Sequence, residues 1–290
     1  MQEILGEKRW KERVREHEKL LSPYAEAFIK RRSIGEKHPV HDFLFTYYSC
    51  SPLKLKQWVP SYAQALEGEP LPWMEGPYFR REKGLIALDR NRFSPAMKGL
   101  AEFVVQLCKN IQSRPGKFGC FGLHEWAMCY NLSPEQVRHS GYVLRLSKGE
   151  IEAFVDSQKL VCTHYDAYRF FTPEAMPKNK FNPTLDTRIE MEQSGCVHAN
   201  MDIYKWAVKL WPWVGSDFIQ KAFLFALEGR ELDMQASPYD LLKDGYPPIP
   251  IETPEGRETY QTLQIAYSQK SEALRQELKD ISINLLKAIE

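Results

Sequence analysis

Three short segments place a histidine beside a carboxylate and among aromatic residues. GCVHANMDIYKWAVKLWPW, residues 195–213, carries Cys196, His198 and Asp202; VCTHYDAYRFF carries Cys162, His164 and Asp166; GCFGLHEWAMCY carries Cys120, His124 and Glu125. Imidazole and carboxylate together support two kinds of chemistry. Three imidazoles with a carboxylate bind iron, zinc or manganese. Without a metal, a carboxylate activates water as general base while a histidine serves as acid or orienter. The spacings match no named metal motif such as His-Glu-x-x-His.

The geometry expected at each segment differs. On a helix from residue 199 onward, His198 and Asp202 lie near one face, as a ligand pair, an acid–base pair or a helix cap with a buried salt bridge. If CTHYDAYRFF (162–171) is a strand, His164, Asp166 and Tyr168 share one face, either lining a pocket or facing solvent. His124 and Glu125 are neighbours and cannot share a helix face. HPVHD, residues 38–42, is a fourth polar cluster, read as the cap and entry of a helix. Convergence of His124, His164 and His198 is the expectation that unites these segments.

Aromatic residues flank them: Tyr47, Tyr48, Trp126, Tyr165, Tyr168, Phe170, Phe171, Tyr204 and Trp206. Planar rings stack on planar ligands, including extruded or single-stranded bases. The same rings serve equally as core. Arg169 is a candidate anion anchor or an ordinary surface ion pair. Asp240, after a Ser-Pro turn, is read as a cap or turn residue.

The elements that position these residues read as mainly α. Residues 7–31 form a charged amphipathic helix. HPVHDFLFTYYSCSP is dense enough in apolar residues for a buried helix ended near Pro52, and 54–93, punctuated by prolines, reads as loops and turns. A helix opens at Ser94-Pro95 and runs to about Gln112. HEWAMCY is the next, and Ser133-Pro134-Glu135-Gln136 has the form of a capping box for a short further one. YVLRL (142–146) and KLVCTHY read as short strands. Ser147 and Glu150 make another capping box before IEAFVDSQ. Residues 171–183 read as a surface loop, 199–210 and 215–229 as helices. A long final helix starts at Thr253-Pro254 with apolar positions at helical spacing. The fold expected is a single, mainly helical domain over 1–290, with a minor β element, an N-terminal helical extension (1–36) and a long C-terminal helix (253–290).

The 290 residues carry 39 basic and 38 acidic side chains. That balance argues against a protein that coats nucleic acid nonspecifically, which needs clustered Lys and Arg. No apolar run approaches a membrane span, and the charged N-terminus lacks a signal-peptide core, so no membrane and a cytoplasmic location are expected. The six cysteines, with no Cys-x-x-Cys pair, are then expected reduced, without a zinc ribbon.

HPVHDFLFTYY, GCFGLHEWAMCY, CTHYDAYRFFTPEA, GCVHANMDIYKWAVKL, ELDMQASPYDL and IETPEGR together resemble a family of bacterial proteins labelled 3-methyladenine DNA glycosylase. The resemblance runs from about His38 to about Tyr267. It implies DNA repair by hydrolysis of the N-glycosidic bond of an alkylated purine, in DNA or a related nucleoside, without a cofactor. Asp202, Asp166 or Glu125 would direct water or stabilise the sugar cation. Trp126, Tyr165, Tyr168 and Trp206 would hold the electron-poor base, with Arg169 as anion anchor. The alternative is a metal-dependent enzyme acting on a small molecule, with Fe, Zn or Mn held by His124, His164 and His198.

Overall fold

A computed structural model describes residues 2–139 and 141–289. Among the described residues the chain is mainly helical, 55% in all, with eleven α-helices, a four-stranded sheet and a long C-terminal helix, as the sequence predicts. In chain order the elements are β1 (Glu3–Leu5), α1 (Glu7–Ser33), α2 (Phe43–Thr46), α3 (Pro52–Lys56), β2 (Gln64–Glu67), β3 (Phe79–Glu82), β4 (Leu85–Leu88), α4 (Pro95–Ser113) and α5 (Leu123–Ala127). Then follow α6 (Lys148–Ser157), α7 (Tyr165–Tyr168), α8 (Arg188–Met191), α9 (Val197–Lys209), α10 (Ser216–Gln235) and α11 (Pro254–Lys287). They divide into two compact units, one of residues 1–108, 202–227 and 274–290, the other of residues 109–201 and 228–273.

The first unit holds the sheet, in the order β1-β2-β4-β3, with β1 parallel to β2 and the remaining pairs antiparallel. The β3–β4 hairpin turns through Lys83 and Gly84, both at positive φ (52° and 80°), the conformation two-residue hairpins prefer. Helix α1 buries Trp10, Val14, His17, Leu21, Ala25 and Phe28, a stripe at spacings of three and four. Glu7 in its first turn and Lys30, Arg31 and Arg32 in its last complement the helix dipole. Trp10 and Val14 join Leu5, Trp58, Leu66, Met74 and Ile86 in one apolar cluster under the sheet. Polar tips are satisfied there: Trp10 Nε1 donates to the Glu67 carbonyl at 2.8 Å and Trp58 Nε1 to Asp217 at 2.7 Å.

In the second unit, α6 opens on the reciprocal capping box of Ser147 and Glu150. The segment before α9 is clamped. Gln193 Oε1 accepts from the backbone N–H of Lys117 and of Gly195, each at 2.7 Å. Gln264 Nε2 donates to the Gly195 carbonyl at 2.6 Å, and Ser268 Oγ to the Ser194 carbonyl at 2.7 Å. Residue 195 must be glycine, since a Cβ there would stand 2.5 Å from the Lys117 carbonyl oxygen.

Several local expectations are corrected. Pro52 opens α3 rather than ending a helix, because proline suits a first helical turn, and Ser51 caps it. The stretch 54–93 contains three strands, whose apolar positions are too short a run to stand out among prolines. Residues 133–136 form a turn, not a helix: Gln136 Oε1 accepts from Ser133 N–H at 3.0 Å and closes the local ring. The two expected strands reduce to single bridges, Leu144 with Tyr239 and Leu160 with Asn179. Among the described residues, no helix is long and apolar enough to cross a membrane.

Candidate metal centre

The second unit gathers the three sequence-identified histidines, all buried. Ring centroids of His124 and His198 lie 4.3 Å apart, nearly perpendicular, and those of His164 and His198 5.5 Å apart. Each comes from a different element. Gly122, at φ 73°, turns the chain so that α5 begins at once and sets His124 in its first turn. His198 stands in the first turn of α9, just past the clamped segment. His164 caps α7, its Nδ1 accepting from the Ala167 N–H at 3.3 Å.

The carboxylate that meets them is Asp233 of α10, fully buried. Its Oδ1 is 2.9 Å from His124 Nε2 and its Oδ2 3.7 Å from His198 Nε2. His124, His198 and Asp233 each offer one ligand atom, all within 4.8 Å of one another. Bonds of about 2.1 Å to one metal ion put neighbouring donor atoms roughly 3.0–3.5 Å apart, so the three need only a small adjustment to share an ion. His124 Nε2 and Asp233 Oδ1 meet as a buried ion pair.

Arg230, one helical turn before Asp233, fixes the carboxylate from behind. Its Nη1 donates to Asp233 Oδ2 and to Glu125 Oε1, both at 2.8 Å. All three residues are at most 4% exposed. Burial alone would push both carboxyls up, but Arg230 holds Glu125 below the usual carboxylate range, and His124, His198 and Arg230 hold Asp233 low. Burial would likewise depress His124, yet the Asp233 carboxylate outweighs it and keeps the imidazolium favoured. Burial, helped by the His124 imidazolium and the Arg230 guanidinium and only partly offset by Asp233, lowers His198 to about 3, so His198 is a neutral imidazole able to ligate.

The other predicted site residues fall elsewhere. Asp166 is buried and held by Arg188, which also reaches Glu192 at 3.1 Å; Glu192 lies 3.5 Å from His164 Nε2. Because Tyr165–Tyr168 is helical, His164, Asp166 and Tyr168 do not share a strand face. Asp202 lies one turn beyond His198 on α9, in the part that belongs to the first unit, and accepts from Lys205 Nζ at 2.9 Å. Trp126 is fully buried, its Nε1 donating to the Ala236 carbonyl at 2.8 Å and its ring packed on Phe154. Tyr165 is half-buried with the Arg188 guanidinium 5.9 Å from its centroid, and Tyr168 packs on Phe171. Arg169 is exposed, 3.4 Å from Asp166. Trp206 belongs to the first unit, beside Phe103 and Lys205. Among the described residues no cysteine forms a disulfide.

Asp233, Arg230, Glu192 and Arg188 were not singled out from sequence. Arg230 and Asp233 stand three apart in a helix that also carries Asp217, Lys221, Glu228 and Glu231, so the Arg-x-x-Asp step did not stand out among its other charges. The chain matches no protein-family model, no curated protein and no solved structure.

Proposed function

We propose that the chain is a metal-dependent enzyme acting on a small molecule, with one divalent iron, manganese or zinc ion held by His124, His198 and Asp233. The observation that carries this reading is the convergence of three buried ligand atoms from three different helices. Two histidines and a carboxylate leave the remaining coordination positions for water and substrate, the arrangement suited to Lewis-acid or oxygen chemistry. Arg230 would orient Asp233, as residues behind a ligand do.

A second reading is N-glycosidic hydrolysis, as the resemblance implies. The close Asp233–His124 pair favours it, since it can orient and protonate without a metal. Glu125 and Asp166, each held by an arginine, would then be electrostatic supports rather than bases.

Elemental analysis of chain purified without chelator or metal-affinity resin separates the two. One equivalent of metal, lost in Asp233→Asn and His198→Ala while both variants stay folded, supports the metal reading. Absence of metal, or its retention in both variants, overturns it and makes base release from methylated DNA the decisive assay.

A further inference from the structure

The first unit contains a cavity of about 310 Å³ that the metal reading does not use. It lies where the turn before α3 meets the end of α9 and the start of α10. Ser49, at φ 51°, reverses the chain, and Ser51 caps α3 so that Lys54 stands at the cavity wall. Lys209, in the last turn of α9, stands on another side. Trp211 and Tyr78 pack edge to face at 5.6 Å, and together with Leu55 and Ile219 they make the apolar wall.

The charge pattern of the lining is one-sided. The whole chain balances 39 basic against 38 acidic residues. Yet the twelve lining residues include two lysines, three serines and no carboxylate. Both lysines are exposed, and among the described residues neither forms an ion pair. Lys54 Nζ instead sits 4.3 Å from the Trp211 ring centroid, which leaves its charge uncompensated by any anion. The Trp211 indole N–H is buried and has no hydrogen-bond partner. Buried donors are normally paired, so this one is a second sign of a missing acceptor.

We propose that this cavity binds a small anion with a planar apolar body, an aryl phosphate or aryl carboxylate, its charged head between Lys54 and Lys209 and its ring against Trp211 and Tyr78. The volume is at the low end for small-molecule sites, which fits one ring with an anionic substituent and excludes a folded partner. Ser216 is already engaged, accepting from Val59 N–H and donating to the Gln57 carbonyl, so it shapes the wall rather than reading the ligand. The Ser51 hydroxyl accepts from Lys54 N–H and keeps its own proton to donate.

The test is titration of the full chain, freed of metal, with phenyl phosphate, benzoate, inorganic phosphate and benzyl alcohol, followed by ligand-observed NMR. One of the two aryl anions is expected to bind about tenfold tighter than both benzyl alcohol and inorganic phosphate, and which one wins names the head group. Lys54→Ala and Lys209→Ala should each weaken it about tenfold, about 1.4 kcal/mol, with Lys→Arg retaining most of the affinity. Equal binding of benzyl alcohol, indifference to both alanine substitutions, or no binding of either aryl anion at millimolar concentration overturns the proposal. Melting temperatures of the variants guard against misfolding. Because the protein carries no metal in this assay, its failure leaves the metal centre untouched.

Discussion

Replacing Arg230 with methionine strips one guanidinium from between two buried carboxylates. Arg230 Nη1 donates to Glu125 and Asp233 at 2.8 Å each, and no member of the trio is more than 4% exposed. Breaking a buried pair from one side costs about 3–5 kcal/mol, because the surviving charge stays desolvated without a partner. Here two charges survive, but Asp233 retains His124 at 2.9 Å, so Glu125 bears most of the loss. A cost at the upper end, about 4–5 kcal/mol, follows. That is a third or more of the stability of an ordinary domain. Urea unfolding followed by tryptophan fluorescence reads it directly, in metal-free protein. Arg230→Met with Glu125→Met should then be more stable than Arg230→Met alone, since the stranded charge is gone. A loss under about 1 kcal/mol in the single variant, or additive losses in the double, would refute the claim that Arg230 compensates buried charge.

Four further outcomes are expected. Gly195→Ala should destabilise by about 1–3 kcal/mol, measured by the same unfolding, because its Cβ meets rigid Lys117 backbone at 2.5 Å rather than a yielding side chain. A metal held by His124 and His198 should be lost as pH falls, since protons compete for the His124 imidazole, which Asp233 raises, while His198, lowered to about 3, stays neutral; equilibrium dialysis across pH 8 to 5, roughly, should show affinity dropping with each step down. Burial lowers His17, and lowers His41 to about 4, from an ordinary value of 6.5, so both are neutral in the fold and take up protons on unfolding. Their contribution is therefore complete above pH 6.5 and falls away as pH drops toward 4, and His17→Gln should flatten the pH dependence of the urea midpoint in that window. Cys50, buried and with its thiol pushed up to about 11, should resist alkylation by iodoacetamide at pH 8 in native protein and react on unfolding.

The long periodic elements were legible in the sequence: α1, α4, α9 and α11 run within a few residues of their expected limits, because a buried stripe repeated over many turns leaves little ambiguity, while α10 extends six residues past its expected end. The sheet was not legible. Its strands are three or four residues long, shorter than the window over which alternation declares itself, and β1 draws its partner from some sixty positions away. The three histidines converge as the repeated His-and-carboxylate pattern implied. The acid that meets His124 and His198 did not come from their own segments. Glu125 and Asp166 are spent on arginines, and the carboxylate that faces the imidazoles arrives on α10, which contains no histidine to advertise it. Local spacing reveals residues on one element; it is silent about what a distant helix brings.

The parallel pairing of β1 with β2 sets an order of events during synthesis. Glu3–Leu5 aligns with Gln64–Leu66, and the long α1 lies between them. A parallel neighbour cannot be supplied by a tight turn, so β1 has no partner until the ribosome has delivered the crossover helix and the strand beyond it. At about 5–20 residues per second, that is a wait of roughly 3–12 seconds. During it, Leu5 and Trp10, both fully buried in the finished unit, lack Leu66 and Ile86, the residues they pack with there.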